Sequence, residues 1–282
     1  VRCVVSAPFL TVFVLRTLTL FEIRNDNLQV TVSGQVERRK NNCQIMNLEY
    51  NKNRQVIESL YAKLGLANEF EKDNYYLENA FNEINKIWID NFNDIESVKY
   101  LLIAEAPLWG QKKKYIYNHK TNNTQFFYRS DLETTFNIKI LDKREFIKTC
   151  RNIGLLIVDI SPFPLNTNDT RINYGKNKNG SRKLTQKEYK ELVRQTLPTF
   201  FNRKINLISQ KKSSGIKVFF RYARVKDTFQ DLICDTLIQN GLIKKQEDIG
   251  EISQMGGGID RVKFKKIINE NKTRTANTVQ IS

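Results

Sequence analysis

The sequence contains few of the residues that build metal centres. It has four cysteines and one histidine, His119, in a chain of 282 residues. No two cysteines form a Cys-x-x-Cys pair, which excludes zinc ribbons and iron–sulfur cages of that spacing. Cys150 and Cys234 fall in helical, partly apolar patterns, and we expect both to be buried thiols in a reducing cytoplasm. The sequence therefore predicts neither a metal site nor a cofactor, and we interpret His119 as a surface residue.

The sequence also lacks an apolar run long enough to cross a bilayer. The apolar stretch Ala7–Leu15 is interrupted by Arg16, and no small-residue cleavage site follows it, which excludes a membrane span and disfavours a signal peptide. Residues 1–45 differ in composition from the remainder, because they hold one lysine and five arginines against 28 lysines and 12 arginines in residues 46–282. We therefore expect the native protein to begin at Met46, with residues 1–45 as a non-native or disordered extension.

What the chain has in excess is positive charge. The formal net charge is +16 and the pI is about 9.6, which favours a polyanionic partner such as DNA. Aromatic residues stand beside basic ones, as at Lys114-Tyr115 and Phe127-Tyr128-Arg129, and such pairs suit stacking on bases next to phosphate contacts. A lysine-rich solvated surface with ordinary core aromatics is the alternative. We expect a monomer that binds nucleic acid and no membrane.

Two apolar stretches have the same design, a buried strand with one acid at its exit. Residues 100–104 lead into Glu105 and then Pro107, and residues 154–158 lead into Asp159 and then Pro162. Ligands of parallel α/β sheets bind at the carboxyl ends of the strands. The two stretches therefore predict a shared pocket lined by Glu105 and Asp159.

Helical patterns alternate with these strands, which predicts an α/β fold: a three-layer α/β/α sandwich with a short, mostly parallel four-stranded sheet. We expect one such domain over residues 46–271 and a frayed tail over residues 272–282. Residues 161–184 form a long polar loop in this prediction. The predicted helices span residues 53–66, 75–92, 126–136, 142–153, 185–201, 227–240 and 262–268, and the remaining strands span residues 216–220 and a short segment near Leu242 or Ile252.

An ordered set of motifs resembles the uracil-DNA glycosylase superfamily. The set consists of Ala104-Glu105-Ala106-Pro107, Tyr115-Ile116-Tyr117-Asn118, the strand 156–160 with its proline-bearing exit, and the glycine loop 256–258 entering a final helix. It covers most of residues 95–271. The resemblance implies a parallel sheet between helices and an enzyme that hydrolyses the N-glycosidic bond of a flipped uracil or mismatched base in DNA, as in base excision repair.

The same resemblance assigns roles to individual residues. Glu105 would be the catalytic group that places the water. The base would be bound by Ala106, Pro107 and Tyr117, with Tyr117 stacking on it (Tyr115 is the alternative), and by Asp159, which stands near the base-reading Asn of the family. The DNA would be held by two groups of residues, the basic residues Lys112, Lys113 and Lys114 and the start of the last helix, with Gly256, Gly257, Gly258 and Asp260. At that helix start, backbone N–H groups can receive a phosphate.

The sequence departs from the family pattern at two places. Leu108 follows Pro107 where the family often has Gly, and the second motif contains neither His nor Ser-Pro. Two alternatives are therefore kept: a catalytically altered or inactive nucleic-acid-binding protein of the same fold, and an unrelated α/β enzyme acting on a nucleoside or a phosphorylated small molecule. At the level of residues, Glu105 could be a solvated group, Tyr115 and Tyr117 packing residues, and the three glycines a flexible turn.

Overall fold

The computed structural model describes residues 48–121, 129–254 and 259–269. The chain divides into two units, Val1–Asn47 and Leu48–Ser282, and every described residue belongs to the second. The predicted glycine loop, 256–258, lies outside the described residues, as do residues 1–45 and the tail 272–282.

The core of this unit is a four-stranded parallel sheet. Its strands are β1 (Val98–Ala104), β2 (Leu155–Asp159), β5 (Lys212–Phe220) and β6 (Gly250–Glu251), in the spatial order β2-β1-β5-β6. All three neighbouring pairs are parallel. The consecutive residues Leu101 to Ile103 of β1 are all buried, as expected for a sheet covered on both faces. The predicted α/β/α sandwich with a short parallel sheet is confirmed.

The strand order creates a switch point between β1 and β5. The chain leaves β1 toward β2 on one side, and it leaves β5 toward β6 on the other side. Because both connections depart from the same edge in opposite directions, a crevice forms outside the carboxyl ends of these two adjacent strands. The residues that follow β1 and β5 therefore meet there.

Helices cover both faces of the sheet. Right-handed crossovers place the β1-to-β2 connection and the β2-to-β5 connection on opposite faces, since they run in opposite directions across the sheet. The helices in chain order are α1 (Tyr50–Lys63), α2 (Ala67–Asn93), α3 (Arg129–Phe136), α4 (Lys143–Ile153), α5 (Gln186–Thr196), α6 (Phe201–Lys211) and α7 (Ala223–Gln239), followed by α8 at residues 261–269. α4 packs on β2, and α6 and α7 pack on β2 and β5 respectively.

The caps predicted from sequence are present at two helices. The Asp142 side chain accepts a hydrogen bond from the backbone N–H of Glu145, and α4 ends at Gly154 in the left-handed conformation with φ of 75°. At α5, Thr185 and Glu188 form the predicted capping box. Each cap satisfies backbone groups that a helix end leaves without intrahelical partners.

Side chains close the outer edge of β2. The backbone N–H of Ile157 donates to the Tyr117 hydroxyl at 2.7 Å, and the Ile157 carbonyl accepts from the indole N–H of Trp88 at 2.9 Å. Both backbone groups of this residue point away from β1, so they would otherwise be unpaired in a buried environment. Tyr117 and Trp88 thereby replace the missing neighbouring strand.

Two parts of the fold differ from the sequence prediction. The helix predicted over residues 185–201 ends earlier, at Thr196, because a turn containing Pro198 follows it, and the separate helix α6 that begins at Phe201 was not predicted. The segment predicted as a loop over residues 161–184 contains a small second sheet of β3 (Ile172–Asn173) and β4 (Arg182–Lys183). Among the helices that the structure describes, none has both the length and the apolarity needed to cross a bilayer.

Candidate functional site

Glu105 stands at the switch point, in the residue that follows β1. Its side chain is 18% exposed, and Oε2 accepts a hydrogen bond from Nη2 of Arg224 at 2.5 Å. The other oxygen, Oε1, is buried and accepts no hydrogen bond from the described residues. The backbone is fixed too, since the Glu105 carbonyl accepts from the Ser161 N–H at 3.0 Å. Glu105 thus presents one oxygen held by a cation and one buried oxygen with unused acceptor capacity.

Arg224 reaches this crevice from the opposite side of the switch point. It is the second residue of α7, which begins shortly after β5 ends at Phe220. Its side chain is 67% exposed, although its guanidinium contacts Glu105, 119 residues earlier in the chain. Because a guanidinium stays protonated at every physiological pH, the site carries a permanent positive charge. The sequence prediction missed Arg224, and no local pattern distinguishes it from the other arginines of the chain.

A pair of tyrosines lies against the same crevice. The rings of Tyr174 and Tyr189 are 4.1 Å apart between centroids and tilted by 31°. The Tyr189 hydroxyl donates to the Glu105 carbonyl at 3.4 Å, and the Tyr174 hydroxyl shares a 2.6 Å hydrogen bond with Oγ of Ser161. Burial raises the pKa of both phenols well above 10, so both remain neutral. Sequence reasoning missed this pair because it placed Tyr174 in an unstructured loop.

Asp159 ends β2 beside β1, in register with Ala104. The structure therefore brings the two predicted acids to neighbouring strand ends. However, Asp159 is only 4% exposed. Burial raises its pKa to about 6, opposed by the positive charge of Lys204 and by the nearby Tyr115 hydroxyl. Asp159 lies beneath the surface, whereas Glu105 reaches the crevice.

Lys204 is the buried cation that faces Asp159. It is fully buried, and its ammonium group has no hydrogen-bond partner among the described residues. The ammonium lies 4.6 Å from the ring centroid of Trp88 and 4.2 Å from that of Phe200. Burial lowers the pKa of Lys204 to about 7, and the charge of Asp159 opposes that shift. The sequence carries a signal for this residue, since Lys204 occupies an apolar-face position of α6 between Phe201 and Ile208.

Tyr117 and Tyr115 are placed in the protein interior. Each is 2% exposed, and their rings meet edge to face at 5.9 Å between centroids. The Tyr117 hydroxyl is engaged with Ile157 at the edge of β2. Stacking of a base on Tyr117 would require its covering neighbours to move, so the placement is that of a packing and edge-closing residue.

A groove of about 740 Å³ opens beside the crevice, between the loop that follows β1 and the loop that follows β2. Pro107, Lys112 and Lys114 line its first wall. Lys113 does not line the groove, because its ammonium is bound by Glu83 of α2 at 2.7 Å. The second wall is polar and is formed by residues 164–169 together with Asn179. Of the three predicted DNA-binding lysines, two therefore share the groove and the third pairs with an acid.

The two walls of the groove are tied together by Tyr76 of α2. Its hydroxyl accepts from the Gly110 N–H at 3.2 Å and donates to the Pro164 carbonyl at 3.2 Å. The Asn166 amide donates to the same hydroxyl at 3.0 Å. Gly110 has φ of +68°, and a Cβ there would lie 3.3 Å from Asp169 Oδ2. This geometry requires glycine at the closest approach of the two walls.

The last predicted residues lie at the start of α8 and next to Glu105. The Asp260 carboxylate accepts hydrogen bonds from the N–H groups of Val262 and Lys263, both at 3.0 Å. The helix N-terminus predicted to receive a phosphate is thus already capped by an acid. Ala106 is half-buried between Glu105 and the groove, and Gly256, Gly257 and Gly258 lie outside the described residues.

Within residues 48–121, 129–254 and 259–269, no group of three or more His, Cys, Asp or Glu side chains is arranged to hold a metal ion. In comparisons with known proteins, no family model, no curated protein and no solved structure matches the chain. The function must therefore be inferred from the geometry at the switch point.

Proposed function

We propose that this protein is a uracil-DNA glycosylase-like hydrolase, which cleaves the N-glycosidic bond of a flipped uracil or mismatched base in DNA, with Glu105 positioning the attacking water. The observation that carries the proposal is the state of the Glu105 carboxylate. Its Oε2 is fixed by Arg224 and its Oε1 is buried with no donor among the described residues. A carboxylate held in this way has one oxygen with unused acceptor capacity, and a water that enters beside it when the substrate binds would pass its proton there.

The location of Glu105 supports a role in chemistry rather than in stability. A buried acceptor without a donor reduces stability by about 1–3 kcal/mol, and such an arrangement is common at functional sites. The switch point of a parallel sheet is also where substrates of this fold class bind. The reaction needs a water oxygen to bond to the sugar C1′ while the C1′–N bond breaks, and an acceptor for the water proton. Glu105 supplies that acceptor.

The surface around Glu105 supports an anionic polymer as the substrate. The chain carries a net charge of +16, and Lys112 and Lys114 border the groove that opens next to Pro107. Asn166, Asn168 and Asn179 line the same groove, and amide side chains can donate to and accept from base edges. DNA would pass along this groove with its reacting nucleotide at the crevice. In this proposal the protein acts as a monomer in the cytoplasm.

The structure changes how the base would be held. Tyr117 and Asp159 are buried and are not among the groove-lining residues, so the proposal places base contacts on Pro107, which lines the groove, and on the more exposed member of the Tyr174–Tyr189 pair. In this proposal Asp159 is a buried residue at the end of β2 that does not contact the base. Tyr174 is the half-buried member of that pair, and its hydroxyl can both donate and accept.

The test is release of free base from oligonucleotides that carry uracil, or one of a panel of damaged or mismatched bases, in single-stranded and duplex form. We expect wild-type protein to release at least one base, and Glu105→Gln and Glu105→Ala to lower the single-turnover rate by about 10²–10⁴. Glu191→Gln is the matched control, because Glu191 also pairs with an arginine, Arg194 at 2.7 Å, on the exposed surface of α5. Its rate should equal that of wild type.

Two outcomes would overturn the proposal. Salt-dependent DNA binding with no base release by wild-type protein would favour the non-catalytic nucleic-acid-binding protein. Base release that is unchanged in Glu105→Gln would show that another group positions the water. Binding itself is measured by fluorescence anisotropy at several salt concentrations, because phosphate contacts weaken as salt rises.

A further inference from the structure

Glu105 and Arg224 form a fixed pair of opposite charges at the crevice. One N–H of the guanidinium is used on Glu105 Oε2, and a guanidinium has five such donors in a planar fork. The Arg224 side chain is 67% exposed, against 18% for Glu105. The positive member of the pair is therefore the more accessible to solvent, and the negative member lies deeper.

Cleavage of an N-glycosidic bond separates charge in a way that matches the Glu105–Arg224 pair. As the C1′–N bond breaks, its electron pair leaves with the base, so the sugar becomes cationic and the base becomes anionic. Water then adds its oxygen to C1′, its proton passes to Glu105, and the departed base later takes up one proton. A carboxylate favours the cationic sugar, and a nearby cation favours the anionic base.

Resting on the proposed function, we propose that Arg224 is a second catalytic residue, which stabilises the negative charge that develops on the departing base. Arginine suits this task because it is always charged and cannot transfer its proton at physiological pH. It acts through charge and N–H donors rather than as a general acid. The bound Glu105 carboxylate also pre-orients the guanidinium, so little reorganisation is needed when the charge appears.

Two other roles for Arg224 predict different kinetics. If Arg224 only orients Glu105, its loss slows the release of every base by the same factor. If Arg224 contacts a phosphate, its loss weakens DNA binding and lowers the salt slope by about one, with little effect on the chemical step. If Arg224 stabilises the departing base, its loss matters most for the base that leaves least readily.

The experiment compares uracil with 5-fluorouracil, whose electron-withdrawing fluorine makes it the better leaving group, in the same oligonucleotide. Single-turnover release is measured for wild type, Arg224→Gln and Arg224→Lys, with Arg194→Gln as the matched control. Arg194 is 60% exposed and pairs with Glu191 in the same way, so the control removes the same charge from the surface. Circular dichroism and thermal unfolding show whether each variant is folded, which we expect because both arginines are exposed.

We expect Arg224→Gln to slow uracil release by about 10²–10³, and to slow 5-fluorouracil release by a factor at least tenfold smaller. Arg224→Lys should recover part of the rate, since it retains the charge but not the planar fork. Equal losses for the two bases, or a loss confined to DNA affinity, would overturn the role of Arg224 while leaving Glu105 catalysis intact. Failure of wild-type protein to release any base would instead refute the proposed function itself.

Discussion

The buried pair of Asp159 and Lys204 offers a quantitative test of the structure that does not depend on knowing the substrate. The perturbation is Lys204→Met, which keeps an unbranched side chain of similar length but removes the ammonium. In the variant, Asp159 remains 4% exposed with no cation facing it. We expect the free energy of unfolding at pH 7 to fall, because a buried carboxylate is then left without its opposite charge.

The magnitude follows from three contributions. Removing one partner of a buried ion pair typically destabilises a protein by about 3–5 kcal/mol. The ammonium also lies within 5 Å of the ring centroids of Trp88 and Phe200, and a desolvated cation–π contact contributes about 2 kcal/mol. Favourable contacts between the Met sulfur and the rings offset part of this loss, at about 0.3–1.5 kcal/mol. These terms sum to an expected net loss of about 3.5–6.7 kcal/mol.

The pH dependence has a definite sign. Burial raises the pKa of Asp159 from 3.8 to about 6, so the folded protein binds this proton more tightly than the unfolded chain. The stability that this proton provides is present below pH 4 and is lost as pH rises to 6. Lys204 has its pKa lowered from 10.5 to about 7, so its contribution is present above pH 10 and is lost as pH falls to 7. Wild type should therefore have its minimum contribution from this pair between pH 6 and 7.

Urea unfolding at pH 5 and pH 7 measures both effects. In Lys204→Met the pKa of Asp159 should rise further, because the lysine charge no longer lowers it, so the destabilisation at pH 5 should be smaller than at pH 7. The double variant Asp159→Asn/Lys204→Met removes both charges and should recover most of the stability. Lys148→Met is the control, since Lys148 is exposed and should change stability by less than about 0.5 kcal/mol. A Lys204→Met protein as stable as wild type at pH 7, or no recovery in the double variant, would refute the placement of this pair.

Two further pairs of substitutions test the fold. Tyr117→Phe leaves the buried N–H of Ile157 without its acceptor and should lower the free energy of unfolding, measured by urea denaturation, by about 1–3 kcal/mol. Tyr75→Phe is the control, because the Tyr75 side chain is 77% exposed, and it should have no effect in the same assay. Gly154→Ala and Gly65→Ala both place a Cβ at a φ above +70°, which destabilises each by about 1–2 kcal/mol. At Gly154, unlike Gly65, the Cβ would also lie 2.6 Å from a backbone carbonyl, so Gly154→Ala should have the lower melting temperature of the two variants. Equal melting temperatures would contradict the close packing between α4 and β1.

The sequence predicted the helices and strands whose signals come from neighbouring residues. Apolar runs located β1 and β2, and cap chemistry located both ends of α4 and the start of α5. These features depend on residues within a few positions of one another, so they can be recognised without tertiary information. The break between α5 and α6 also had a local signal, since Pro198 stands within the segment predicted as one helix.

The candidate site was predicted only in part, because its key contacts join distant positions. Glu105 followed from its place after an apolar strand, but Arg224 is 119 residues away, and its partner could be found only once the order of β1 and β5 was known. Tyr117 was assigned to a base because of its motif, whereas in the structure its hydroxyl closes the edge of β2. A sequence motif identifies a position along the chain, but burial is decided by the elements that pack upon it.

The closed edge of β2 has a consequence for how this protein meets other chains. An open strand edge recruits further strands, from a second copy or from an extended peptide. Here the outward N–H and carbonyl of Ile157 are both occupied by side chains of the same chain, and the opposite edge is β6, only two residues long. A strand added beside β2 would have to displace Tyr117 and Trp88 at its centre, and β6 provides only two residues for pairing. Among the described residues, both borders of the sheet are therefore poor templates for a further strand.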